Sequence, residues 1–216
     1  MVETLLADWD GEGVYFHADH PSGSWIVVAI HSTRLGPAIG GTRMKPYPSL
    51  DDALLDAQRL AAGMTYKWAA ADMDAGGGKA VLAIPPDLAS DERSAFLGRY
   101  GRLIASMRGL FLTGPDSGTN SEDMDVIATH APDYVFCRSE AAGGSGNPAV
   151  FTAVGVLTSI ETVTERCFDS ADLAGRTIAI QGAGSVGHEL IGHLLDREAN
   201  VIVADVNRDS LEALPA

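Results

Sequence analysis

Cysteine is nearly missing from this chain: Cys137 and Cys167 are the two in 216 residues. They share no C-x-x-C motif, which excludes a disulfide framework. The plain reading is two small apolar side chains. Basic residues are also scarce, 15 Lys and Arg against 29 Asp and Glu, for a net charge of −14. That excludes wrapping nucleic acid or docking on an anionic membrane, since both need a basic surface. No apolar run approaches the ~20 residues of a membrane span. The start, Met1-Val-Glu-Thr-Leu-Leu-Ala-Asp8, has neither a basic segment nor a long apolar one. A signal peptide is therefore not expected, and a cytoplasmic location is. Repeats and low-complexity tracts are absent. His17, His20, His31 and His130 are scattered, and His188 and His193 lie five apart where a zinc pair needs four, so no metal is expected.

What is present is an ordinary globular composition, 46% hydrophobic and 20% charged. Trp25-Ile-Val-Val-Ala-Ile-His31 reads as a strand. Ser49-Leu-Asp-Asp52 opens a helix, with Ser49 as N-cap and Asp52 three residues on. Leu54, Leu55, Gln58, Ala61 and Ala62 continue it at helical spacing. Lys79 to Ile84 reads as a strand stopped by Pro85-Pro86. A helix is expected from near Ser90 through Ile104, then a short strand, Leu110 to Thr113. Another capped helix follows at Ser121, and Tyr134 to Phe136 is a possible short strand. Ala141-Ala-Gly-Gly-Ser-Gly-Asn-Pro148 is the richest linker signal. The expected division is therefore residues 1–148 and residues 149–216. Strands alternate with helices on both sides of it, which makes the chain α/β.

The stretch Gly63 to Lys79 contains Lys67, and it ends in three glycines followed by Lys79. Glycine orders at high entropic cost, so three in a row imply a close approach of backbone. Lys79 would then sit on the lip of a buried strand, where an ammonium is costly without a partner or a task. A Gly-rich turn with a solvated lysine is the plainer alternative.

The second half carries G-x-G-x-x-G in its required context. Strand Thr177 to Gln181 precedes Gly182-Ala-Gly184-Ser185-Val186-Gly187, and a helix through Leu190, Ile191, Leu194 and Leu195 follows. A second strand, Val201 to Ala204, ends at Asp205. Gly182 makes the turn, Gly184 admits a pyrophosphate to the backbone, and Gly187 lets helix and strand pack. The helix N-terminus offers N–H groups to the phosphates. Asp205 can bond both adenine-ribose hydroxyls and would repel a 2′-phosphate, which favours NAD over NADP. Arg208 lies nearby and softens that choice.

Taken together, several blocks in order resemble the Glu/Leu/Phe/Val amino-acid dehydrogenases. They are Leu35 to Met44, Gly63-Met-Thr-Tyr-Lys67, Gly76-Gly-Gly-Lys79, Thr113 to Thr119, Asp123 to Asp125, and Gly146-Asn-Pro148 with Thr152. The resemblance covers essentially the whole chain. It implies reversible oxidative deamination of an L-amino acid to the 2-oxo acid and ammonium, with hydride passing to NAD. It implies an N-terminal substrate and oligomerisation domain, followed by the first βαβ part of a Rossmann domain. Lys67 would clamp the substrate carboxylate, with Met64 and the backbone at Gly40 and Gly41 shaping the pocket. Lys79 would be the general base. Asp116 would exchange a proton with the amino nitrogen. Thr152 would contact the nicotinamide side of the cofactor, alongside Gly182, Gly184, Ser185, Val186, Gly187 and Asp205.

A free lysine is protonated at neutral pH, so Lys79 needs burial or a second cation, for which Lys67 is the candidate. The Thr113 to Asn120 block and Arg138 to Gly144 resemble the phenylalanine and valine branches more than the leucine branch. Gly114 would leave room for a larger side chain, Ile39 would add an apolar wall, and an apolar substrate is expected. The chain ends about thirty residues after Gly187, without the strands of the nicotinamide half. Two readings follow: an enzyme or a piece of one, and a non-catalytic subunit that assembles through the first domain.

Overall fold

The computed structural model describes residues 2–214 and separates into two units, Met1–Asn147 and Pro148–Ala216. In the first, a five-stranded sheet runs β1 (Gly13–Asp19), β2 (Ser24–Ser32), β4 (Gly76–Ala83), β3 (Ala38–Lys45), β5 (Phe111–Pro115) in spatial order. β2 is antiparallel to β1 and β4, while β3 is parallel to both β4 and β5.

Both faces of this sheet are covered. On one lie α1 (Val2–Ala7) and α2 (Leu50–Ala70). Ser49 caps α2 by accepting the Asp52 N–H at 3.2 Å. The helix then buries Ala53, Leu54, Ala57 and Ala61 against Val27, Ala29 and Val81. On the other face, α3 (Ser90–Ser106) and α4 (Ser121–Ala128) pack Phe96, Tyr100, Met124 and Ile127 on Ile26, Val28, Leu82 and Phe111. The cap of α4 is Asn120, which forms a reciprocal capping box with Asp123; Ser121 is already the first helical residue. Inside this apolar layer the Thr42 hydroxyl is satisfied by Tyr100 Oη at 2.8 Å and Thr113 Oγ1 at 2.6 Å, as a buried hydroxyl must be.

Two expectations are corrected here. The triple glycine is not a turn before a strand: Gly76, Gly77 and Gly78 are the first residues of β4, so Lys79 sits within the strand. Side chains have no room at those positions. A Cβ at Gly76 would overlap the Ser32 carbonyl, one at Gly77 the Thr65 side chain, and one at Gly78 the Phe111 ring. Lys67 is helical. α2 continues through Gly63, so Lys67 lies in its last turn. The Gly-rich block at residues 38–45 is β3, one of the sheet's inner strands. The strand expected at Tyr134 to Phe136 is not formed: Tyr134 closes a 3₁₀ turn (Pro132–Tyr134), and Val135 makes a lone bridge to Thr113.

The second unit holds two parallel strands, β6 (Thr177–Gln181) and β7 (Asn200–Ala204), with α5 (Ala149–Phe168), α6 (Ser185–Leu195) and α7 (Arg208–Glu212). Ile178, Ile180 and Val201 pack with Ala153, Leu157, Leu190 and Leu194 of α5 and α6. The opposite face of the pair is exposed, and Ile202 on it is 60% accessible.

Candidate active site

Strand periodicity decides which side chains meet. Alternate residues of a strand point to one face. On β3, Ala38 and Met44 join the layer under α3 and α4, so Gly41 and Arg43 face α2. On β4, Ala80 and Leu82 join that same layer, which turns Lys79 the other way. Asp116 follows β5 directly.

These residues converge. Lys79 Nζ lies 3.2 Å from Asp116 Oδ2, and Arg43 Nε reaches the same oxygen at 2.7 Å. A Cβ at Gly41 would come within 2.9 Å of the Asp116 Cβ and 3.1 Å of Lys79 Nζ, so glycine there is what lets the pair close. A Cβ at Gly40 would overlap the Gly78 carbonyl. The backbone of Asp116 is pinned as well: its N–H donates to Thr119 Oγ1 at 3.0 Å, and Thr119 Oγ1 donates to the Thr42 carbonyl at 2.8 Å.

Arg43 also donates to Asp56 of α2, NH1 to Oδ2 at 3.0 Å, and the Tyr47 hydroxyl donates to the same oxygen at 2.7 Å. Arg43, Asp56 and Tyr47 were not singled out in the sequence. The one available signal was periodic: with glycines at 40 and 41 marking a crowded strand, a charged residue at 43 shares the face of Gly41.

Electrostatics follow from this packing. Lys79 is only 6% exposed. Burial pushes its ammonium below the ordinary lysine range, Asp116 opposes that, and the Arg43 charge adds to it. Burial alone would raise Asp116, but the Lys79 charge and the Arg43 hydrogen bond outweigh it and hold the carboxyl below its usual range. At Asp56 burial is again outweighed, by the hydrogen bonds from Tyr47, Arg43 and Arg59, and the carboxyl is held at about 2. The cation that acts on Lys79 is thus Arg43, in place of the expected Lys67.

Lys67 is exposed and its ammonium makes no hydrogen bond or ion pair among the described residues. Its turn is fixed by the next residue: Trp68 Nε1 donates to the Ile39 carbonyl at 3.0 Å, immediately before Gly40 and Gly41. Met64 lies one turn back, half-buried. The space beside Gly114 is not open as expected. The Phe136 ring fills it, and a Cβ at 114 would overlap that ring.

In the second unit, Gly182 adopts φ +104° and its carbonyl occupies the place of a Gly187 Cβ. Gly184 is the N-cap of α6, no side chain caps that helix, and its Cβ position is open. Ser185, Val186 and Gly187 therefore present an unblocked helix N-terminus, which suits a pyrophosphate. Asp205 accepts the Ala183 N–H at 2.6 Å on one oxygen and the Asn207 N–H at 2.7 Å on the other. These hydrogen bonds, Asn207 first, hold it below the ordinary carboxylate range. An ionised carboxylate has about four acceptor positions, so two remain for ribose hydroxyls and the loop fits a dinucleotide. Thr152 donates its hydroxyl to the Pro148 carbonyl at 2.8 Å in the first turn of α5.

A glycine fingerprint between strand and helix, in a chain whose other unit pairs a buried lysine with a half-buried aspartate, defines an α/β architecture with a helix N-terminus left open to an anion. The family profile "Glu/Leu/Phe/Val dehydrogenase, dimerisation domain" matches residues 23–132. Leucine dehydrogenase of Bacillus subtilis (strain 168) is 43% identical over 207 residues, 96% of this chain and 56% of the relative. Phenylalanine dehydrogenase of Lysinibacillus sphaericus is 41% identical, over 94% of this chain and 52% of the relative. The crystal structure of L-tryptophan dehydrogenase from Nostoc punctiforme superposes with a TM-score of 0.68 at 34% identity, over 98% of this chain and 58% of that one. The chain belongs to the Glu/Leu/Phe/Val dehydrogenase family. It spans about half the length of the curated relatives it matches. Among the described residues, no helix is long and apolar enough to cross a membrane.

Proposed function

We propose that this chain handles the substrate in an NAD-dependent dehydrogenase that converts an apolar L-amino acid and water to the 2-oxo acid and ammonium. Lys79, neutral when it acts, takes the proton from the water that attacks the substrate carbon. Asp116 exchanges a proton with the amino nitrogen. Lys67 meets the substrate carboxylate, with Met64 and the backbone at Gly40 and Gly41 shaping that end. NAD, when bound, accepts the hydride. Gly182, Gly184, Ser185, Val186, Gly187 and Asp205 hold its adenosine and pyrophosphate, and Thr152 meets the nicotinamide side.

The observation that carries this reading is the Lys79–Asp116 pair at 3.2 Å, with Lys79 buried and Asp116 half-buried. Such a pair separates two jobs. Burial lowers the lysine's hold on its proton, the direction a general base requires, while Lys79 and Arg43 hold the Asp116 carboxyl below its usual range. Ile39 and the Phe136 ring beside Gly114 favour an apolar side chain. The relatives named above act on leucine, phenylalanine and tryptophan, by their names. We place the protein in the cytoplasm. We read it as a homo-oligomer joined through its first unit, a reading supported by the profile's description as a dimerisation domain. The test is NADH formation by the purified protein with a panel of L-amino acids. Apolar substrates should be oxidised with NAD and glutamate should not. NADP-only turnover, or a preference for glutamate, would overturn the assignment.

A further inference from the structure

Lys79 and Arg43 both bind Asp116 through one oxygen, Oδ2. Oδ1 has no partner among the described residues. A carboxylate shared by two cations on one side is fixed in rotation and keeps its other oxygen for a third group. The two cations also differ in kind. A lysine can lose its proton; an arginine guanidinium cannot. When Lys79 becomes neutral, half the positive charge at Oδ2 disappears. With no other cation there, Asp116 would pull the proton back, because an unpaired, half-buried carboxylate is costly. The guanidinium lies closer, at 2.7 Å against 3.2 Å, and it is anchored from behind by Asp56, which Tyr47 and Arg59 hold in turn.

We propose that Arg43 is a positioning residue that keeps Asp116 ionised and aimed through Oδ1 while Lys79 gives up its proton. This deepens the function proposed above and rests on it for its purpose, though not for its measurement. Four groups surround the Lys79–Asp116 pair and set its charge: Arg43 of β3, Tyr47 after it, and Asp56 and Arg59 of α2. With Lys79 protonated, Arg43 and Lys79 balance Asp56 and Asp116, leaving Arg59 in solvent, 73% exposed. With Lys79 neutral, Arg43 is the one cation left in contact with Asp116. Asp56, though it anchors Arg43, opposes proton loss from Lys79 through its own charge. Removing Arg43 and removing Asp56 should therefore move Lys79 in opposite directions.

The chain has only three lysines, Lys45, Lys67 and Lys79, so each can be followed in the intact protein. Competitive labelling with acetic anhydride across a pH series, read peptide by peptide by mass spectrometry, gives a midpoint for each. Lys45 and Lys67 serve as internal references. Arg43→Met should raise the Lys79 midpoint by about one pH unit, a tenfold gain in proton affinity. Arg43→Lys should recover part of that shift, since it keeps the charge and loses the fork. Asp56→Asn should lower the midpoint. Simple loosening that lets water in would raise it in every variant, so the opposed signs separate charge from packing. Asp116 is then followed by carbon-detected NMR in Lys79→Met, which mimics the neutral lysine. The carboxyl should still titrate below the ordinary range there, and adding Arg43→Met should lift it by about one unit. An unchanged Lys79 midpoint in Arg43→Met, or an upward shift in Asp56→Asn, overturns the proposal. Should Arg43→Met not fold, Arg43→Lys and Asp56→Asn decide on the same criteria. Absence of NADH formation in wild type would instead count against the proposed function, and the labelling would remain readable.

Discussion

The two units use the same parts, parallel strands fed into helices, and reach different burial. In the first, seven of the eight residues of β4 are buried, because α2 closes one face of the sheet and α3 and α4 close the other. In the second, β6 and β7 alternate exposed and half-buried residues, because α5 and α6 cover one face. Parallel strands are usually covered on both sides. The lesson is about where chemistry can sit. A lysine can be held at 6% exposure only where both faces of the sheet are sealed, and Lys79 lies there. The fingerprint glycines sit in the more open unit, where backbone N–H groups must stay reachable.

That contrast is broken most sharply at Lys79. In a version of the chain completed with the nicotinamide half, Lys79→Ala should cut turnover by about 10²–10⁴, the usual worth of general acid–base help, while NAD affinity measured by fluorescence titration stays near wild type. Lys67→Ala, at an exposed residue, should instead mainly raise KM for the amino acid. Equal small losses at both positions would remove the distinction between them.

Next comes stability. Leu82→Ala, in the sealed sheet, should cost about 2–5 kcal/mol, as large-to-small core changes do. Ile202→Ala, on the open face, should stay within about 0.5 kcal/mol. Urea unfolding of both variants checks this, and a large cost at Ile202 would mean that its face is covered in solution.

Acid should act more gently, and on the first unit. Asp56 is held at about 2 against an ordinary 3.8, so its folded form binds fewer protons than the unfolded chain across that interval. Its contribution is complete above the ordinary value and is lost as pH falls towards about 2. Circular dichroism over pH 5 to about 2 should therefore show Asp56→Asn with a flatter profile than wild type. Identical profiles would assign acid sensitivity to other carboxylates.

The smallest effect belongs to the open unit. Asp205→Ala should narrow the preference for NAD over NADP by roughly tenfold, the size of one charge-assisted hydrogen bond. Part of that loss would come from freeing the Ala183 N–H that Asp205 holds. Competition binding of the two nucleotides measures it, and an unchanged ratio would pass the discrimination to another residue.

Much of this protein could be read from local pattern. The strand at 25–31, the Ser49 cap, the helix from Ser90 and the fingerprint at 182–187 depend on near neighbours, so spacing alone exposes them. The block resemblance added Lys67, Lys79 and Asp116 as site residues, without saying which of them touch. Less legible was anything set by what lies across the sheet. Helix α2 overruns Gly63 because its Ala57 and Ala61 face is buried on the strands, and that outweighs the cost of one glycine. Gly76 to Gly78 are strand residues because the Ser32 carbonyl, Thr65 and Phe111 press against them, and none of those contacts is near in sequence.

By itself, then, the sequence determined the α/β alternation and the glycine turn between β6 and α6, since each is written in short-range hydrophobic period and glycine placement. Only the tertiary structure decided which cation stands beside Lys79. Parallel strand order brings residue 43 to residue 116 across 73 positions of chain. It leaves Lys67 in solvent, and it fills the room beside Gly114 with Phe136. Coulomb energy depends on distance in space, and that distance does not exist until the sheet is built.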